Sequence, residues 1–321
     1  MLKRTITKFL PLVIFAALFS IAGASCSVIE SWHGRPPKID RSRSRYSAPE
    51  EAGKLGSAEI TESSGLAASK CREDLFWTHN DSGDGPYLFA IDPMGRHLGV
   101  WRVPNAENVD WEDIAAFKDA DGQCFVYIGD IGNSAKEKRE RLLIYRVREP
   151  DVQPASASTV RQSARETAAA DVLEFRYPDG LHDAETLLVH PKTARIYVVT
   201  RHRTEPAGVY TFDGGFGNGV LTARRIGEVK VPAVPFGFLT GGDIAQDGTR
   251  LVLNDYFAAY ELTLPNDADN FDTIFRSEPV PVDIGKRKQG EGIAYSADGR
   301  FIFATSEGVQ QPLQRILRIE Q

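Results

Sequence analysis

Residues 289–308 read "QGEGIAYSADGRFIFATSEG". A short apolar run from Ile293 to Tyr295 leads into an Asp298-Gly299 turn. A second apolar run follows and ends in Ser306-Glu307. Two strands joined by a tight Asp-Gly turn make a hairpin. The anomaly is Glu291, a carboxylate opening a strand whose other residues are those of a buried one.

The pattern recurs along the chain. It stands as "SSGLAASKCREDLFWTHNDSG" from Ser63, "WEDIAAFKDADGQCFVYIGDIG" from Trp111, "AETLLVHPKTARIYVVTRH" from Ala184 and "GGDIAQDGTRLVLNDY" from Gly241. Each unit then supplies a third strand: "YLFAID", "LLIYRV", "GVYTF", "AAYEL" and "QRILRI". A weaker fourth, "DVLEFRYP", spans 171–178. The second residues of the units are Ser64, Glu112, Glu185, Gly242 and Glu291, at intervals of 48, 73, 57 and 49. Propeller blades repeat every 40–50 residues or so. The expected fold is all-β, a five-bladed β-propeller over residues 57–321. The 73-residue interval leaves room for a sixth blade, although the Ala-, Ser- and Thr-rich stretch at 150–170 reads as a surface loop. "SAEIT" at 57–61 would pair with the C-terminal "LQRILRIEQ" and close the ring. The rival, a two-sheet sandwich, does not predict a repeated strand-opening motif.

Lys3, Arg4 and Lys8 precede the apolar "FLPLVIFAALFSIAGA", too short for a comfortable span and ending in small residues. Residues 1–25 read as a signal peptide. "Ala22-Gly23-Ala24" fits ordinary cleavage, and "Gly23-Ala24-Ser25-Cys26" resembles an imperfect bacterial lipobox that would lipidate Cys26. The expected location is exported, periplasmic or at the cell surface. Residues 26–56, with "RSRSR", read as a polar linker. Cys71 and Cys124 fall in neighbouring units, where a disulfide suits an oxidising compartment; Cys26 would be left over, lipidated or free.

The net charge of −6 argues against a nucleic-acid partner. The expected partners are a small-molecule anion or an envelope protein, with membrane contact only through a lipid anchor, and the chain a monomer. Gly-x-Ser-x-Gly, Walker and His-Glu-x-x-His motifs are absent, which disfavours a serine hydrolase, an NTPase motor and a zinc protease.

In a propeller the innermost strand of each blade starts beside the central channel, so the column Ser64, Glu112, Glu185, Gly242 and Glu291 would meet around one axis. Neighbouring carboxylates cannot all stay ionised without a proton or a cation between them. Oxygen-only donors favour a hard cation such as Ca2+, and the absence of His and Cys from the column weighs against zinc or copper. Asp113 and Asp243 in the next column, with Glu62, Asp110 and Asp183 two residues before, would orient ligands or water. Alternatively, the glutamates cap backbone N–H groups with no metal. The loops after each second strand would bring His79, Asn80, Asp81, Asp130, Asn133, Arg201, His202, Asn254, Asp255 and Glu307 to the same face. Arg201 could clamp an anion or simply neutralise nearby acids, and His79 or His202 could act as acid or base.

At "SGLAAS", "WTHNDSG", "NVDWEDIA", "YIGDIGNS", "HDAETLLV", "TGGDIAQDG" and "GEGIAYSADG" the chain resembles a group of exported bacterial propeller proteins, mostly without a defined activity, over about residues 60–319. It is more distantly similar to calcium-activated nucleotidases (apyrases), and through "EGIAY" to phytase-like esterase propellers. The apyrase resemblance implies calcium held by Ser64, Glu112, Glu185 and Glu291, with Gly242 standing where that family has serine. Two functions follow as expectations: a calcium-bearing ligand- or protein-binding module, or a calcium-dependent phosphoester hydrolase.

Overall fold

The computed structural model describes residues 34–41, 44–133, 138–153 and 160–319. The signal peptide over 1–25 and Cys26 lie outside them.

Alternating apolar residues and polar turns produce strands almost throughout. β1 is Glu50–Lys54. Blade 1 holds β2 (Ser63–Ala68), β3 (Phe76–Asn80), β4 (Tyr87–Ile91) and β5 (His97–Arg102). Blade 2 opens with β6 (Trp111–Lys118), β7 (Cys124–Asp130) and β8 (Leu142–Arg148). The short β9 (Arg165–Glu166) returns to pair parallel with β5 of blade 1, and β10 (Asp171–Arg176) completes blade 2. Blade 3 is β11 (Ala184–Val189), β12 (Ile196–Thr200) and β13 (Ala207–Thr211); β14 (Val220–Thr222) crosses to the edge of β10, and β15 (Arg224–Val229) finishes blade 3. Blade 4 is β16 (Gly241–Ile244), β17 (Arg250–Asn254), β18 (Ala259–Thr263) and β19 (Val280–Val282). Blade 5 is β20 (Gly290–Tyr295), β21 (Phe301–Ser306) and β22 (Pro312–Leu317), with β1 on its outer edge. These are the five blades of a β-propeller. The long interval between Glu112 and Glu185 holds blade 2, its excursion to blade 1 and no sixth blade among the described residues.

The innermost strands pack side by side in a closed circuit, β2 on β6, β6 on β11, β11 on β16, β16 on β20 and β20 on β2. Successive side chains of a strand face opposite ways, so each blade feeds two cores. Ile128 of β7 packs with Trp77 and Leu88 of blade 1, while its neighbour Tyr127 packs with Leu187 and Val198 of blade 3. One apolar cluster lies between each adjacent pair of blades. The Cys71–Cys124 disulfide joins blades 1 and 2.

The ring is closed by an N-terminal strand, but not the one expected. "SAEIT" at 57–61 forms no strand: Thr61 and Glu62 give their N–H groups to the Asn80 side chain, and Ile60 is wholly buried. β22 pairs instead with Glu50–Lys54, which the sequence had placed in the linker. "EEAGK" is polar because it is an edge strand with one buried face, at Ala52. The packed part of the supposed linker extends further back. Tyr46 is buried, its hydroxyl bonded to Glu261, and Arg35 bridges to Val234.

Candidate metal centre at the channel mouth

Ser64, Glu112, Glu185, Gly242 and Glu291 are each the second residue of the innermost strand of their blade. In four blades the pairing with the second strand slips at this point, between Ser63 and Leu66, Trp111 and Asp113, Ala184 and Thr186, and Gly290 and Ile293. A bulge re-aims the side chain that it carries. Blade 4, with Gly242, pairs without a slip. A Cβ on Gly242 would come within 2.8 Å of Leu253 Cδ2 and 2.9 Å of the Val252 carbonyl oxygen. The regular register therefore leaves no room for the serine of the apyrase pattern.

Glu112, Glu185 and Glu291 are all at most 5% exposed. Burial, then the neighbouring Glu185 and Asp81 charges, pushes the Glu112 carboxyl well up. Burial raises Glu185 too, against the lowering effect of Arg201. Glu291 is raised by burial and by Glu307, with which it shares a hydrogen bond. Asp81, at the mouth, is pushed up to about 7, mainly by burial. Two groups bring carboxylate oxygens within 4.8 Å of one another: Asp81, Asp110 and Glu112, and Glu112, Asp183 and Glu185. Glu112 belongs to both. A Cβ on Gly132 would lie 2.2 Å from Glu112 Oε1 and 2.4 Å from Asp110 Oδ2, so only glycine lets the loop after β7 pass this close to the acids. Oε2 of Glu185 and Oε2 of Glu291 are buried without a hydrogen-bond partner. Bare, desolvated oxygens from an all-oxygen donor set suit a hard cation, because burying them unpaired is costly.

Arg201 is drawn into this cluster. Its Nη1 pairs with Glu185, while Nε and Nη2 donate to Asp183 Oδ2 at 3.1 and 2.8 Å. Its guanidinium also lies over the Phe238 ring, 5.2 Å from the centroid. Of the two roles weighed for it, the geometry is that of a neutraliser. Asp183 in turn accepts from the Asn133 N–H at 2.8 Å.

Other expected site residues serve the frame. Ser64 Oγ donates to the Glu112 carbonyl at 2.6 Å, linking blades 1 and 2. Asp113 accepts from Leu187 N at 2.9 Å, blade 2 to blade 3, and Asp243 from Tyr295 N at 2.9 Å, blade 4 to blade 5. His79 is wholly buried edge-on to Trp111, its Nδ1 3.0 Å from the Asn80 carbonyl oxygen, and burial pulls its pKa down to about 4. It is a neutral core residue. His202 lies half-buried beside His182, 5.6 Å between centroids, and burial followed by the His182 charge lowers it. Asn254 donates to the Glu291 carbonyl at 3.0 Å, and Asp255 accepts from the Tyr260 hydroxyl at 2.6 Å. The sequence reading missed Arg287, a half-buried cation that donates to the Asp255 carbonyl at 2.8 Å and feels the Glu291 charge. Its signal was a basic run, "KRK", directly before the strand that carries Glu291.

No protein-family model matches the chain, and no curated protein matches it either. Solved structures do: one is the crystal structure of RRP9 WD40 repeats, at a TM-score of 0.42 and 11% identity over 85% of this chain and 99% of that one.

Proposed function

We propose that the chain is an exported binding module, periplasmic or at the cell surface, whose channel mouth holds a calcium ion. The observation that carries this reading is the buried Glu112, shared by two acid groups, beside a buried Glu185 oxygen with no partner. Glu112 and Glu185, with Asp81 and Asp110 beside them, would hold the ion, while Glu291 adds its charge and Asp183 anchors Arg201. When bound, it supplies a fixed positive charge that an anionic ligand or an acidic loop of an envelope protein can meet. The Cys71–Cys124 disulfide supports an oxidising compartment. Calcium-dependent phosphoester hydrolysis draws less support, because Arg201 is committed to two acids and His79 is sealed in the core.

Calorimetric titration with Ca2+ tests the reading. One ion should bind, Glu112→Gln should weaken it at least tenfold, and saturation at 100 Kd should add about 2.7 kcal/mol of stability. Neither heat nor a change in melting temperature between calcium and EDTA would refute it.

A further inference from the structure

We infer that Arg201 and the divalent cation compete for Glu185, so that the channel mouth carries its own exchangeable counter-ion. The inference rests on the calcium reading above.

A Glu112 oxygen and a Glu185 oxygen lie within 4.8 Å of one another. Two oxygens on opposite sides of a calcium ion, each about 2.3–2.6 Å from it, have nearly this separation. The place is therefore already shaped for an ion, yet one Glu185 oxygen is taken by Arg201 Nη1 while the other is bare and buried. A guanidinium and a dication cannot both sit against one carboxylate without like-charge repulsion. The Arg201 charge reaches Glu112 and Glu307 as well as Glu185, so it stands in the field that an ion would occupy.

The two anchors of Arg201 differ in depth. Glu185 is 2% exposed in its side chain and Asp183 22%. Asp183 holds Nε and Nη2 together, through one oxygen at the mouth. Loss of the inner pair would leave the outer one intact, and the flat face of Phe238 lies beneath the guanidinium. The head group can turn outward about Asp183 while the residue stays in place. Without calcium the arginine stabilises the acids; with calcium the same arginine is offered to the mouth.

Calcium titrations of the wild type, Arg201→Met and Glu185→Gln, with side-chain 15N–1H spectra of the wild-type arginines, test the exchange. Arg201→Met should bind calcium at least tenfold more tightly, because a competitor has gone, and Glu185→Gln at least tenfold more weakly. In the wild type the Arg201 Nη signals should be restrained without calcium and average by faster rotation with it. Equal or weaker calcium binding by Arg201→Met overturns the inference. If that variant fails to fold, the wild-type spectra decide: Arg201 signals unmoved at saturating calcium overturn it, and averaged signals support it. A wild type that binds no calcium refutes the calcium reading itself, a different result from calcium bound beside an unmoved arginine.

Discussion

Replacing Asp113 with alanine separates a frame residue from a metal-site residue, although its neighbour in sequence is Glu112. Asp113 is fully buried. Its Oδ1 accepts from Ile114 N at 2.8 Å and its Oδ2 from Leu187 N at 2.9 Å, on the inner strand of the next blade. The alanine variant strands both donors where water cannot reach them. A buried donor left unsatisfied costs about 1–3 kcal/mol, so the two together should cost about 4 kcal/mol. In a domain of this size each kilocalorie shifts the midpoint by roughly 2–4 °C, which places the melting temperature about 8–16 °C lower. Urea unfolding should show a reduced midpoint at an unchanged slope. Calcium affinity, measured on the folded variant, should stay within threefold of the wild type. A stability loss below about 1 kcal/mol with calcium binding abolished would refute the reasoning and return Asp113 to the ion.

Without calcium, stability should fall as pH rises from about 4.5 to about 7. Asp81, pushed up to about 7, and the raised ring glutamates hold protons in the folded state that unfolded carboxyls, near 3.8 and 4.5, have already lost; calcium should flatten the slope, and a calcium-free midpoint constant over that range counts against it. Within that window the buried His79, pulled down to about 4, acts oppositely and offsets part of the slope, so His79→Gln should steepen the fall of stability with pH in calcium-free unfolding curves, and an unchanged slope counts against it. Replacing Cys71 and Cys124 by serine opens a cross-link of 53 residues' separation, so chain entropy predicts a loss of about 4 kcal/mol by urea unfolding, and a loss below 1 kcal/mol would contradict that account. A chain starting at residue 57 lacks β1 and should aggregate through the bare edge of β22 in size-exclusion chromatography, whereas one starting at residue 34 should run as a monomer.

The blades were legible because hairpin signals and period-two alternation are local, and five repeats fix each other's alignment. The column of ring residues was legible for the same reason: a fixed place on a repeated strand is a fixed place around the axis. The closing strand was not, because "EEAGK" buries one residue and carries no apolar alternation to betray it. The partners of Asp113 and Asp243 were not legible in the sequence. They follow the ring residues but accept hydrogen bonds from the next blade, and that depends on how adjacent blades pack rather than on composition. The partners of Arg201 were equally beyond the sequence, since a long side chain selects among acids by rotamer.

The pairing of Glu50 with Arg315 has a consequence for how the molecule is made. β1 is synthesised before any of the blades, yet it is the last of the described strands to find its mate. Until "PLQRIL" has been synthesised, four blades can fold while "EEAGK" waits with no mate. A nascent chain interrupted before residue 312 would leave β1 and β21 without the strand between them, both edges open to proteases and to holdase chaperones.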